Sequence, residues 1–294
     1  MSDSNKIRDA ADAVKGIVEA VPVYQDVVQP AAKEVGTALQ TVAKTIHVAL
    51  APVSALVWGY DKIKDYLNEA LAERLKNIPQ ERIVSPNPAV AGPAVEALRF
   101  CAQEPNLREL YANLLATSMD SKTAEEAHPA FVEILRQLTP DEAHFLGYLF
   151  QHRPSIFPLI SGRVYILFHD PQYKYEMDYK YDVRHFSIFD KTSDCKYPDL
   201  IPSYLDNLCR LGITEILLAE SAQQTTIAPG FSYERVEKEC RRSKRRQYAK
   251  FFNGQGMEPP KIRSIKLYDT KEVLRLTALG GQFCKSCVVQ PKRI

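Results

Sequence analysis

The 294-residue sequence lacks the short motifs that would fix a catalytic class. It has no G-x-x-x-x-G-K-[ST] loop, no G-x-G-x-x-G turn and no G-x-S-x-G elbow. With no nucleophile–base pair in view, hydrolase roles are unsupported. A structural zinc site is unsupported too. Cys284-Lys285-Ser286-Cys287 has no second pair to complete four ligands. Cys284 and Cys287 are a weak metal candidate and fit better as packing residues on one helix face. No cofactor is implied.

A constitutive membrane span is lacking as well. Residues 35–60 contain Lys44 as their one formally charged residue, and as helix they would reach about 39 Å, enough for a bilayer core of roughly 30 Å. Yet Gly36, Thr37, Gln40, Thr41, Lys44, Thr45 and His47 make the stretch weakly apolar, and Pro52 divides it. Its uncharged part, Thr45–Tyr60, is shorter than the roughly 18 residues a span needs. The opening MSDSNKIRDAADAVKG has charges where a signal peptide has an apolar core. The six cysteines, Cys101, Cys195, Cys209, Cys240, Cys284 and Cys287, are therefore expected to stay reduced in a cytosol.

What is present is ordinary globular material, 45% hydrophobic and 25% charged. The net charge of +2 conceals an asymmetry. Residues 1–150 hold 14 Lys/Arg and 20 Asp/Glu, hence −6; residues 151–294 hold 24 and 16, hence +8. Such a division hints at different partners for the two halves.

Helical spacing dominates the first half. Ile7, Ala10, Val14, Ile17, Val18 and Val21 share one face; Val35, Leu39, Val42, Ile46 and Leu50 share another. Ile63, Leu67, Leu71, Leu75 and Ile78 then point inward, with Asp61, Lys64, Asp65, Glu69, Glu73 and Arg74 outward. Pro79, Pro86, Pro88 and Pro93 predict a connector. Helices are predicted to resume at 91–103, 106–119, 127–138 and 141–151, and Thr139-Pro140-Asp141-Glu142 is a strong start signal for the last. Beyond Pro158, Arg163–His169 and Tyr173–Phe189 read as strands. Residues 200–211 read as a helix closed by Gly212, Ile213–Leu218 as a strand, 233–252 as a basic helix, 261–277 as strands and 278–289 as a final helix.

The expected fold is mostly α and α+β overall, a helical N-terminal half plus a winged-helix-like α+β C-terminal half. The expected divisions are a helical array at 1–78, a linker and bundle at 79–138, and the winged-helix-like domain, with Tyr-rich and basic insertions, at 139–294. Winged helices are often protein-binding scaffolds, so that fold alone does not imply DNA binding.

Several segments together resemble the Abi-alpha family of bacterial abortive-infection proteins. They are VYQDVVQPAAKEVG at Val23–Gly36, ALAPVSALVWGYDKIKDYL at Ala49–Leu67, IPQERIVSPNP with AGPAVEALRF and LRELYANLLATSMD within Ile78–Asp120, and HPAFVEILRQLTPDEAHF at His128–Phe145. Leu205–Gly212 and LTALGGQFCKSC at Leu276–Cys287 extend it. The resemblance implies phage defence, in which an infected cell dies or stops growing before phage matures. It transfers no catalytic residue.

Two segments are candidate sites. The first is the 35–60 hairpin, expected to pack in the resting protein and to enter the inner membrane when triggered. Its membrane-contact candidates are Val42, Ile46, Leu50, Val53, Leu56, Val57, Trp58 and Tyr60. The second is Lys238–Lys250. Arg241, Arg242, Lys244, Arg245, Arg246 and Lys250 place six cations in ten residues, a pattern that neutralises phosphates. The same segment fits a solvated helix face tempered by Glu237 and Glu239, a docking site for the acidic half, or an anionic lipid surface. Arg163 with His169 mimics an RNase spacing but lies in a strand-like run. Asp199 with Asp269 and Lys271 mimics a metal-dependent nuclease across a long gap.

The expectation is a non-enzymatic phage-defence protein, cytoplasmic, and peripheral to the inner membrane on activation. A nucleic-acid-binding regulator using the winged helix and residues 238–250 is the first alternative, and a nuclease effector the second. The inner membrane, a nucleic acid, a phage or host protein and a second copy of the chain all stay open as partners.

Overall fold

A computed structural model describes residues 60–101, 103–153, 155–169, 176–221 and 226–288. Helix α1, Tyr60–Leu75, buries Ile63, Leu67, Leu71 and Leu75 as an i, i+4 stripe. Arg74, expected outward, is buried instead. Its Nε donates to Asn113 Oδ1 at 2.7 Å, its Nη1 to the Ala70 carbonyl at 2.9 Å, and its Nη2 pairs with Glu109. A guanidinium enters a core where several acceptors meet its several donors.

Helix α2, Pro88–Cys101, begins inside the predicted proline connector. Pro88 starts the helix, where a missing N–H is harmless, and Asn87 Oδ1 accepts from Ala89 N at 2.9 Å. Pro93 sits in the second turn and removes one ladder bond. Helix α3, Pro105–Ser118, is the hub: Leu110 to Ser118 are all buried, and α1, α2 and the next helices pack around it. Helices α4, Ala130–Arg136, and α5, Pro140–Gln151, follow. The predicted start of α5 is a full capping box: Thr139 N donates to Glu142 Oε2 at 2.7 Å and Glu142 N to Thr139 Oγ1 at 3.2 Å.

The sheet has four strands: β1 Phe157–His169, β2 Glu176–Phe186, β3 Thr214–Leu218 and β4 Ile262–Leu276. Their order is β2-β1-β4-β3 and every pair is antiparallel. The strands expected at 261–277 are thus one long strand, Ile262–Leu276. Helix α6, Ile201–Arg210, precedes β3; helix α7, Tyr233–Gly254, lies between β3 and β4; helix α8, Ala278–Cys287, follows β4. Gly212 closes α6 at φ +72, as its position predicts. Gly162 in β1 has no alternative residue: a Cβ there would lie 2.0 Å from the Tyr268 carbonyl oxygen.

Alternation divides the outer part of the sheet into two faces. Val164, Ile166 and Phe168 of β1 are buried beneath α7, with Phe168 against Tyr248 at 5.7 Å between ring centroids. Tyr179 of β2 meets Tyr248 and Phe252 of α7 on the same side. The opposite side is not covered by α7.

Buried apolar side chains from Ile63 to Cys287 form one connected cluster. Each fully buried Leu, Ile or Phe stabilises by about 1.5–3 kcal/mol relative to exposure. The join between helices and sheet is α8. Asn113 Nδ2 donates to the Cys287 carbonyl at 2.8 Å, Thr117 Oγ1 to the Ser286 carbonyl at 3.0 Å and Ser286 Oγ to the Glu126 carbonyl at 3.0 Å. The C-terminal carbonyls of a helix need partners outside it, and α3 supplies them here. At the other end Thr277 caps α8 and donates to the Gly212 carbonyl at 2.6 Å.

Candidate functional site

The basic segment predicted at 238–250 lies on α7. Ser232 Oγ caps its start by accepting from Arg235 N at 3.1 Å, and Glu234 adds an acid to the first turn. Val236, Cys240 and Tyr248 are buried against the sheet. The solvent side is therefore left to the cations.

These cations fall into two groups. Glu237 and Glu239, spaced as the sequence suggested, draw several inward. Arg241 Nη2 lies 3.5 Å from Glu237 Oε2, and Lys271 of β4 reaches Glu237 Oε1 at 3.6 Å. Glu239 pairs with Lys191, with Arg246 at 2.9 Å and with Arg242 at 3.7 Å. A glutamate one turn before an arginine is the favourable orientation on a helix. The hydrogen bond from Lys191 holds the Glu239 carboxyl below its ordinary range; burial opposes this, and the charges of Lys191, Arg242 and Arg246 add to it. Lys244 packs over the Tyr181 ring at 5.4 Å and donates to Gln247 at 3.1 Å.

Lys238, Arg245 and Lys250 form the second group. All three are exposed, and none has an acidic partner among the described residues. Lys238, Arg242 and Arg245 stand at i, i+4 and i+7, one line along the open side of α7. At 1.5 Å per residue α7 is about 33 Å long. Its open side is a ridge of positive charge suited to a polyanion.

The other sequence candidates are dispersed. Val42, Ile46, Leu50, Val53, Leu56, Val57 and Trp58 lie outside the described residues; Tyr60 opens α1. Among the described residues no helix is long and apolar enough to cross a membrane. Arg163 and His169 both belong to β1. Asp199 lies in a short 3-10 turn, Pro198–Leu200, while Asp269 and Lys271 lie in β4. Among the described residues no three His, Cys, Asp or Glu side chains gather as a metal site. Cys284 and Cys287 are buried in α8, and burial pushes both thiols upward. His144 is spent on the Ser193 carbonyl, 2.9 Å from Nε2.

One cluster escaped the sequence reading. Ser161, His185 and Glu272 meet on β1, β2 and β4, far apart in the chain. Ser161 Oγ donates to Glu272 Oε2 at 2.8 Å, and His185 Nδ1 lies 2.8 Å from the same oxygen. The residue types are those of a hydrolytic triad, but the wiring is not. A nucleophilic serine would face the imidazole nitrogen opposite the carboxylate. Here serine and imidazole both turn to the carboxylate, and Ser161 Oγ also accepts the His185 backbone N–H at 2.9 Å. The cluster fastens an irregularity in the β1–β2 ladder, where His185 adopts φ +47.

The family model described as abortive infection alpha matches residues 59–287. No curated protein and no solved structure matches the chain.

Proposed function

Because this chain belongs to the abortive infection alpha family, we propose that it is a phage-defence protein that acts by binding nucleic acid along α7. One observation carries the choice of partner: Lys238, Arg242 and Arg245 are aligned on the solvent side of α7, and two of the three make no ion pair among the described residues. Neutralising phosphates releases counterions, so binding of this kind weakens steeply with salt. The winged-helix reading belongs to the same proposal. β3 and β4 pair antiparallel directly after α6, as a wing would, but their connection holds the whole of α7. We keep the basic helix, not a wing tip, as the contact surface.

The test is fluorescence anisotropy of a labelled DNA duplex at about 50 mM and about 200 mM salt. The full chain is compared with the variant Lys238→Glu/Arg242→Glu/Arg245→Glu. The wild type should bind at low salt and lose affinity steeply at high salt. The variant should bind far more weakly, with a salt slope smaller by about one per phosphate contact removed. No binding at low salt defeats the proposal.

Conditional insertion of residues 35–60 is the second reading, motivated by their long, nearly uncharged sequence. Leu50→Asp or Val57→Asp should abolish growth arrest and leave duplex binding intact. Arrest that persists in these folded variants removes it.

A further inference from the structure

We propose that the sheet face opposite α7 is a stacking platform for single-stranded nucleic acid, centred on Tyr165 and Tyr268. The class of partner rests on the nucleic-acid reading above, but the surface does not: α7 covers the other side of the same sheet.

The register sets out this face. Arg163 of β1 stands between Asp182 of β2 and Tyr268 of β4; Tyr165 stands between Lys180 and Lys266; Leu167 stands between Asp178 and Ser264. Directly paired residues share a face, so these nine side chains lie together. Their contacts agree. The Tyr165 and Tyr268 rings meet edge to face at 5.6 Å, Lys180 Nζ lies 5.8 Å from the Tyr165 centroid, and Arg163 Nε donates to Asp182 at 3.0 Å.

The face is open. Tyr268 is 62% exposed, the largest value for an aromatic side chain of the sheet, and Lys180 and Arg163 are similarly exposed. Tyr268 stands where β4 pairs with β1 and beyond the reach of β3, and a tyrosine held there and left in water presents a rigid π surface. Two tyrosines at right angles leave one ring face available for a base. Base–aromatic stacking tolerates any sequence, because every base has a π face.

Charge decides the occupant. The middle row reads Lys180, Tyr165, Lys266, a cation on each side of an aromatic ring. Neighbouring strands are about 4.8 Å apart, so the two lysines stand about 10 Å apart across the ring. A nucleotide stacked on the ring has a phosphate on either side of its sugar, and a single strand crossing the sheet would meet both lysines. Lys180 Nζ also lies 4.0 Å from Asp178 Oδ2, whereas Lys266 has no acidic partner among the described residues. Among these nine residues the acids, Asp178 and Asp182, both belong to β2; the next acid along the same face of β4, Glu272, is held by Ser161 and His185. A duplex hides its base faces and has no use for the tyrosines.

The experiment uses the full chain, a labelled oligo(U) single strand and a duplex of equal length. Tyr268→Ala should weaken single-strand binding about tenfold or more and leave duplex binding unchanged, with Tyr268→Phe close to wild type. Lys266→Ala should weaken the single strand and flatten its salt dependence. Equal binding by Tyr268→Ala and wild type overturns the platform, as does an equal loss for strand and duplex. A wild-type dimer in sedimentation that Tyr268→Ala converts to monomer also overturns it, by assigning the face to a second copy. If the α7 triple variant keeps full duplex affinity while Tyr268→Ala loses the strand, the α7 reading fails and the platform stands.

Discussion

Asn113 stands between the first described helix and the last, accepting from Arg74 Nε at 2.7 Å and donating to the Cys287 carbonyl at 2.8 Å. One amide thus satisfies a buried guanidinium on one side and a helix C-terminus on the other. Asn113→Ala removes the acceptor of the Arg74 Nε–H and the donor to the Cys287 carbonyl, both at buried positions. Each orphaned group costs about 1–3 kcal/mol, so the midpoint of urea unfolding should fall substantially. Asn113→Ala unfolding at the wild-type midpoint would show that this bridge contributes nothing.

Adjacent glycines in α8 should respond in opposite senses. A Cβ on Gly280 would lie 1.9 Å from the Ile213 carbonyl oxygen, whereas one on Gly281 meets nothing within 4 Å. Gly280→Ala must push α8 away from the α6–β3 turn and should lower the melting temperature markedly. Gly281→Ala should stabilise by up to about 1 kcal/mol, because alanine is the better helix residue. Equal effects at the two positions would contradict the close approach.

Glu239 holds the basic ridge together and, under the proposed nucleic-acid reading, opposes the binding of an anion. Glu239→Gln frees Lys191, Arg242 and Arg246 from a common carboxylate. The variant should be less stable than wild type yet bind a DNA duplex more tightly. The pH dependence has a defined sign. The folded carboxyl titrates below its ordinary value of about 4.3, so its contribution is present above that value and fades as pH falls through the folded value. Between neutral pH and strong acid, wild type should therefore lose more stability than Glu239→Gln. Parallel pH curves would contradict this.

The cysteines should be slow to alkylate where the fold packs them. Cys240, Cys284 and Cys287 are buried, and burial pushes the Cys240 thiol up to about 11. Thiolate is the reactive form. At about pH 8 these three should react only as the chain unfolds, after the partly exposed Cys195 and Cys209. Rapid labelling of Cys284 or Cys287 in the folded protein would reopen a metal or redox role.

Much of this architecture is legible in the sequence because it rests on local rules. The stripe from Ile63 to Leu75, the box at Thr139–Glu142 and the stop at Gly212 each follow from neighbours within four or five residues. The burial of Arg74 is not legible, since its acceptors, Asn113 and Glu109, sit on another helix. Pro93 misleads for a related reason: it lies beyond the first turn and removes one ladder bond, and the burial of Val90, Ala91, Ala94, Val95 and Leu98 around it outweighs that loss. The cations of α7 are plain in the sequence, but which are spent on Glu237 and Glu239 depends on side-chain geometry. The open sheet face was hidden entirely. Tyr165, Lys180 and Lys266 become a row only once the register of three strands is known.

If α7 binds nucleic acid and this binding underlies defence, the two must fail together. The most direct measurement is plaque formation on cells expressing the wild type or a folded Lys238→Glu/Arg242→Glu/Arg245→Glu variant, with duplex binding measured on the same proteins. Binding and protection should be lost together in the variant. A variant that no longer binds nucleic acid yet protects as fully as wild type would contradict it.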